Sequence, residues 1–135
     1  MEPADSELTA QVAAASPFTA FLGIEVVSAS PREVRARLAW KPELCTTGGM
    51  LNGGALMGLA DNVGGFVAFL NLPEGAAGTA TIESKTNFLG PVRGGYVHAI
   101  GRPLHTGRRT IVVDTELYDD EDKLVARVTQ TQAVL

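Results

Sequence analysis

Residues 49–70 read GMLNGGALMGLADNVGGFVAFL, and the fold turns on how this stretch is read. From residue 53 onward, apolar side chains fall on almost every side of a helical spacing. A helix that is apolar all round is a buried helix. One acid, Asp61, interrupts it. An ionised carboxylate is costly to bury without partners or a purpose, so Asp61 is the residue that needs explaining. Five glycines, at 53, 54, 58, 64 and 65, share the run. Each costs about 1 kcal/mol against alanine in a helix interior, which points to close backbone packing against a sheet or a second chain. Gly53 and Gly54 stand at the expected helix start. There the first N–H groups lack intrahelical partners and the macrodipole is positive, so an oxyanion can be held. The run is about as long as the shortest membrane spans, roughly 17 residues. Asp61 and Asn62 near its middle, and the lack of flanking Lys or Arg, favour a core helix instead.

Outward from this helix the chain reads as strands. Residues 24–28 and 34–40 flank a turn at Ser30-Pro31 and suggest a hairpin. Val34, Ala36, Leu38 and Trp40 alternate with Arg35, Arg37 and Ala39, the period of a half-buried strand. Residues 79–88, 96–105, 110–118 and 124–135 follow as four more strands, broken at Gly90-Pro91, Gly94-Gly95, Gly107 and the acidic turn 119–122. Short turns force antiparallel neighbours. An apolar sheet face must be covered, and only the central helix is long enough to cover it. The expected architecture is α+β: an antiparallel sheet wrapped around one long helix. Residues 6–15, with Ser6 as a loose cap, and a second short turn through Phe18, Phe21 and Leu22 form an N-terminal helical segment over 1–22.

With 135 residues the default is one domain over 1–135, large enough for a core without disulfides. Fifteen acids against eleven Lys and Arg, with no basic run, argue against a nucleic-acid partner. Cys45 is the only cysteine, which excludes an intrachain disulfide and a cysteine-rich metal site and fits a cytoplasmic location. The N-terminus has no basic n-region or long apolar core, so neither a secretory signal nor a membrane partner is expected.

The stretch resembles the hotdog-fold acyl-CoA thioesterases of the phenylacetic-acid-degradation type. That family carries Gly, two residues, His-Gly-Gly, then a helix with an acid eight residues after the first Gly of the pair. Here the residues are Gly49, Met50, Leu51, Asn52, Gly53, Gly54 and Asp61. Asn87-Phe88-Leu89-Gly90-Pro91, Gly107-Arg108-Arg109-Thr110 and Lys123-Leu124-Val125-Ala126 match later features of the family. The resemblance implies hydrolysis of an acyl-CoA or aryl-acyl-CoA thioester, with no cofactor beyond the coenzyme A of the substrate. Asp61 would be the catalytic carboxylate, acting on water as a general base or attacking the carbonyl itself. Gly53 N–H would serve the oxyanion, and Thr81 on the facing strand would help hold the water. Gly54, Phe88, Gly90, Arg108 and Arg109 would meet the substrate, the two arginines through its phosphates. Asn52 stands where the family has His, and Thr46 where it has Asn. These departures keep open a second reading, a module that binds acyl-CoA without cleaving it. A hydratase or dehydratase would need a catalytic His, and neither His98 nor His105 is so placed.

Spacing adds an argument of its own. Gly53 and Asp61 are eight residues apart, roughly 12 Å along a helix. One thioester carbonyl cannot touch both on the same chain. Two helices side by side in a homodimer would supply one group each, and the family often pairs such dimers into a homotetramer. Among the remaining residues, Arg93 and Arg102 read as surface charges, His98 and His105 as structural or surface groups, Cys45 as a free thiol, and the 119–122 turn as solvated.

Overall fold

A computed structural model describes residues 2–135. Three α-helices and six strands follow in the order α1 (Ser6–Ala15), α2 (Pro17–Leu22), β1 (Glu25–Ser30), β2 (Glu33–Ala39), α3 (Gly53–Leu70), β3 (Thr79–Phe88), β4 (Tyr96–Thr106), β5 (Thr110–Tyr118) and β6 (Leu124–Val134). The strands form one sheet in the order β1-β2-β4-β5-β6-β3, every neighbouring pair antiparallel. The expectation that consecutive strands pair is corrected at one place. β3 does not pair with β4; it crosses to the far edge and pairs with β6. The connection is no tight turn. Residues 89–95 contain Pro91, and they are tied elsewhere: Leu51 N–H donates to Val92 O (2.9 Å) and Trp40 N–H to Gly95 O (2.8 Å). The α1 cap is also corrected. Asp5, not Ser6, accepts from Leu8 N–H at 2.9 Å.

The sheet wraps α3. Leu56, Leu59, Val63 and Val67 meet Leu38, Val97, Ala99, Ile111, Val113, Leu117 and Val128, all nearly inaccessible. Each valine, leucine or isoleucine of this set contributes about 1.5–3 kcal/mol by leaving water. Two glycines set the approach of helix to sheet. A Cβ on Gly101 of β4 would stand 2.6 Å from Val63 Cγ1, and one on Gly64 of α3 would stand 2.0 Å from Gln130 Oε1. Gly58 packs against Phe18 and Leu22 of α2. Gly65 differs from the sequence expectation: nothing lies within 4 Å of where its Cβ would be, so contact within the chain does not account for it. Asn62 is bound on the same side as α2, accepting from the Thr19 hydroxyl and donating to Gly58 O.

The loop before α3 is held by backbone bonds. Thr46 N–H donates to Met50 O and Asn52 N–H to Leu44 O. Gly48 and Gly49 both have positive φ, +87° and +76°, which side chains resist. Trp40 Nε1–H donates to Gly49 O (3.0 Å), and Arg93 donates to Gly48 O (2.7 Å). Arg93 therefore orders this loop instead of standing free in solvent. The helix start is thus fixed in space by the sheet and by the 89–95 connection.

The outer sheet face is polar and paired. Glu33 joins Arg35 and Arg102, Glu25 joins Arg37, and Asp114 joins Arg127. Arg102 is consequently a sheet-face charge and does not join Arg108 and Arg109. The acidic turn is more than solvated: His98 Nε2 and Asp120 Oδ1 are 2.7 Å apart, and Tyr96 N–H donates to Asp120 Oδ2 at 3.1 Å. The His98 hydrogen bond, with help from Tyr96 N–H and against the opposing effect of burial, holds Asp120 below the ordinary carboxylate range.

Two outcomes follow from these contacts. Gly64→Ala forces Gln130 from its slot and is expected to lower stability by about 1–3 kcal/mol, read by urea denaturation; a neutral result would mean that the amide moves freely. Because Asp120 is lowered in the folded state, its contribution is full above the unfolded value and lost as pH falls through the folded one. The stability difference between wild type and Asp120→Asn, below about 1 kcal/mol for so exposed a pair, should be present at neutral pH. It should begin to fade in melting scans as pH drops below about 3.9 and vanish only below the lower, folded-state value.

Candidate active site

Asp61 is exposed in the single chain. The burial expected from the apolar sequence around it does not extend to this side of the helix. The reason is topological: Asp61 lies on the α3 flank beside β3, and β3 is an outermost strand whose far edge pairs with nothing among the described residues. Two groups converge on one of its oxygens. Thr81 Oγ1–H donates to Asp61 Oδ1 at 3.3 Å, and Gln130 Nε2–H to the same oxygen at 3.4 Å. Behind them Gln132 Nε2 donates to Thr81 Oγ1 (2.6 Å) and to Gln130 Oε1 (3.2 Å). Thr79 Oγ1–H reaches Gln132 Oε1 at 3.1 Å. Gln130 and Gln132 are each only 1% exposed.

Sequence reasoning named Thr81 but missed both glutamines. The signal was present. Inward positions on β6 run Ala126, Val128, Gln130, Gln132, so two amides occupy places where the period of two calls for core side chains.

The helix start was expected to offer both Gly53 and Gly54. The structure separates them. Asn52 caps α3, its Oδ1 accepting from Gly54 N–H at 2.7 Å. Asn52 O accepts from Ala55 N–H (2.9 Å) and Leu56 N–H (3.3 Å). Of the first four helical N–H groups, only that of Gly53 has no acceptor among the described residues. A Cβ on Gly53 would lie 2.9 Å from the Phe88 ring, so the ring packs directly on this backbone. Thr46, exposed in the preceding loop, makes only a backbone bond.

Gly90 is turned to β6, its N–H donating to Val125 O at 3.1 Å, and is not brought to Asp61. Arg108 and Arg109 are exposed in the β4–β5 hairpin, in a hollow shared with His105, Gly107 and Thr110. Ile111 and Thr81 flank Gln132 on its two sides, so the hairpin lies about 10 Å of sheet away from Thr81. Cys45 donates its thiol to Lys41 O at 3.3 Å and is half-buried. Met57 on α3 and Ile82, Phe88 and Leu89 around β3 are exposed apolar side chains beside Asp61 and Gly53. The β3–β6 register slips between Thr81 and Glu83. That bulge turns Thr81 toward the helix and leaves Ile82 at the surface.

The sequence profile of the thioesterase superfamily matches residues 48–126. Thioesterase HI1161 of Haemophilus influenzae superposes with a TM-score of 0.87 at 27% identity, covering 99% of this chain and 92% of its own. A mutant form of thioesterase PA1618 of Pseudomonas aeruginosa gives 0.87 at 27% identity, covering 100% and 96%. An Escherichia coli relative, 1,4-dihydroxy-2-naphthoyl-CoA hydrolase, is 32% identical over 87 residues, 64% of this chain and 63% of its own.

If Asn52 serves as the cap, Asn52→Ala should lower stability by about 1 kcal/mol in denaturant melts, while Asn52→Ser or Asn52→Asp retains most of it. Equal stability of all three variants would remove Asn52 from that role.

Proposed function

The chain belongs to the thioesterase superfamily, and from that premise we propose that it hydrolyses an acyl-CoA or aryl-acyl-CoA thioester to the free acid and coenzyme A. The observation that carries this reading is the pairing of an exposed, double-donor-held carboxylate with one unmatched N–H at the start of the same helix. The thioester carbonyl oxygen would sit at Gly53 N–H, where the helix dipole favours the negative charge that develops there. Asp61 Oδ2, outside the two hydrogen bonds, would take a proton from water as the oxygen adds to the carbonyl carbon. The C–S bond then breaks and the thiolate leaving group takes up a proton. Direct attack by Oδ2 and hydrolysis of the resulting anhydride is the other route, and both use the same atoms.

The separation of roughly 12 Å along α3 requires Gly53 and Asp61 of different protomers to meet at one carbonyl. The open edge of β3 and the exposed Met57, Ile82, Phe88 and Leu89 support a homodimer closed on this side. Pairing of such dimers into a tetramer and the phenylacetic-acid-degradation subtype are what the sequence resemblance implies, and the lone Cys45 fits a cytoplasmic location. The coenzyme A ester is supported by the E. coli relative, a hydrolase of such a thioester. Arg108 and Arg109, exposed and without a carboxylate partner among the described residues, would take its phosphates.

The test is free-thiol release from short, medium, long and aryl acyl-CoA esters, with Asp61→Asn beside wild type. Loss of the carboxylate should reduce kcat by about 10²–10⁴ with fold and oligomer retained. Undiminished activity in Asp61→Asn would overturn the assignment. Tight ester binding without turnover in wild type would favour the carrier reading that Asn52, in the place of the family's His, keeps open.

A further inference from the structure

We propose that Gln132 and Gln130 are positioning residues that fix the donor direction around Asp61, holding its Oδ1 and leaving Oδ2 as the reacting oxygen. This rests on the hydrolytic reading above. The argument begins with what each atom can do. A carboxylate only accepts, a hydroxyl gives one proton, and a primary amide has one donating and one accepting end. Gln132 spends both N–H groups inward, one on Thr81 Oγ1 and one on Gln130 Oε1. Thr81, already accepting, has its one proton left for Asp61 Oδ1. Gln130, accepting at Oε1, presents Nε2–H to the same Oδ1. The Thr79 hydroxyl lies 3.1 Å from the Oε1 end of Gln132 and 2.9 Å from Ala133 O, and its one proton is shared between these two acceptors.

The direction is therefore set two residues away from the carboxylate. If the two amides reverse, Gln130 aims Oε1 at Asp61, an arrangement acceptable only to a protonated carboxyl. The network as it stands matches the ionised form, the form that accepts a proton from water or attacks carbon. The two amides have little room to reorganise. Gln130 and Gln132 are 1% exposed, and Gly64, three residues beyond Asp61 on α3, leaves the slot in which the Gln130 amide lies. Other charges are remote or turned away. Asp61 is the only titratable side chain of α3. β6 carries only Arg127, bound to Asp114 on the outer face. On β3, Glu83 and Lys85 are exposed, and Lys85 donates to Asn87.

Neither glutamine touches substrate, so the test needs a readout that a packing role would not move. Gln132→Met keeps the approximate volume and adds no charge. The expected result is a fall in kcat of about tenfold at unchanged KM. The acid limb of the kcat pH profile should move upward by about 0.5 pH unit or more. Gln132→Glu, which reverses the donor end and adds charge, should move it further. A carboxyl ¹³C titration, with the Asp61 resonance identified by its loss in Asp61→Asn, should show the same upward movement in Gln132→Met whether or not turnover is measurable. Thr79→Val, which removes the hydroxyl shared by Gln132 Oε1 and Ala133 O, provides the same readings if a Gln132 variant does not fold, with a smaller shift in the same direction. Thiol release by folded variants with acid limb and ¹³C titration both as in wild type would overturn this inference and leave the hydrolytic reading standing. Absence of turnover in wild type would remove that reading, and an unmoved ¹³C titration would then remove this one.

Discussion

The structure depends on one contact: the burial of one side of α3 in the hollow of a six-stranded sheet. No other element is long enough to cover that face, and without cover the inward sides of β2, β4, β5 and β6 would stand in water. The contact is set by shape as well as by area. Gly101 and Gly64 bring helix and sheet together at the two places where a methyl group would collide, with Val63 and with Gln130. Once the helix is seated at that depth, its N-terminus can lie only where the 89–95 connection and the positive-φ turn at Gly48 and Gly49 hold it.

This seating makes the two ends of the site unlike each other. At the N-terminus, Asn52 satisfies Gly54, Ala55 and Leu56, and the Phe88 ring lies against Gly53. One donor remains, on a backbone that cannot swing away. Two turns along, Asp61 stands on the flank that the sheet does not wrap, because β3 is the last strand and nothing follows it in the sheet. A side chain between helix and sheet edge is neither solvated freely nor buried. Its partners come from the strands, and its remaining oxygen is turned to whatever meets the edge of β3.

Much of this was legible in the sequence. The all-round apolar run with five glycines reads as a central helix, and α3 has the expected bounds, as has β3. On β5, Ile111, Val113, Thr115 and Leu117 are buried at a spacing of two, and Asp114 between them is buried as well, by its pairing with Arg127. Strand pairing was less legible, because adjacency in the chain is a default that the 89–95 connection, bonded to Leu51, Trp40 and Val125 instead of forming a tight turn, overrides. The burial of Asp61 was misread for a related reason. Hydropathy reports what surrounds a residue along the chain, whereas its exposure depends on which strand ends the sheet, a long-range fact with no local mark. Gly54 was expected beside Gly53 because the motif shows two glycines alike, and only the Asn52 side chain, bound to Gly54 N–H, distinguishes their N–H groups.

The two glutamines bear on why the acid is tolerated at all. Two amides in a core would each be costly if left unpaired, and leucines would pack there without that risk. Here they are joined to each other, to Thr79 and Thr81, and through Thr81 and Gln130 to Asp61. The pairing depends on an acceptor at the outer end. Were Asp61 apolar, Thr81 and Gln130 would lose the group toward which their protons point, and that mismatch would pass back to Gln132. The acid and the amides are thus mutually dependent. The core supplies the donors that a surface carboxylate would otherwise take from water, and the carboxylate gives the buried Gln130 amide an acceptor at the surface.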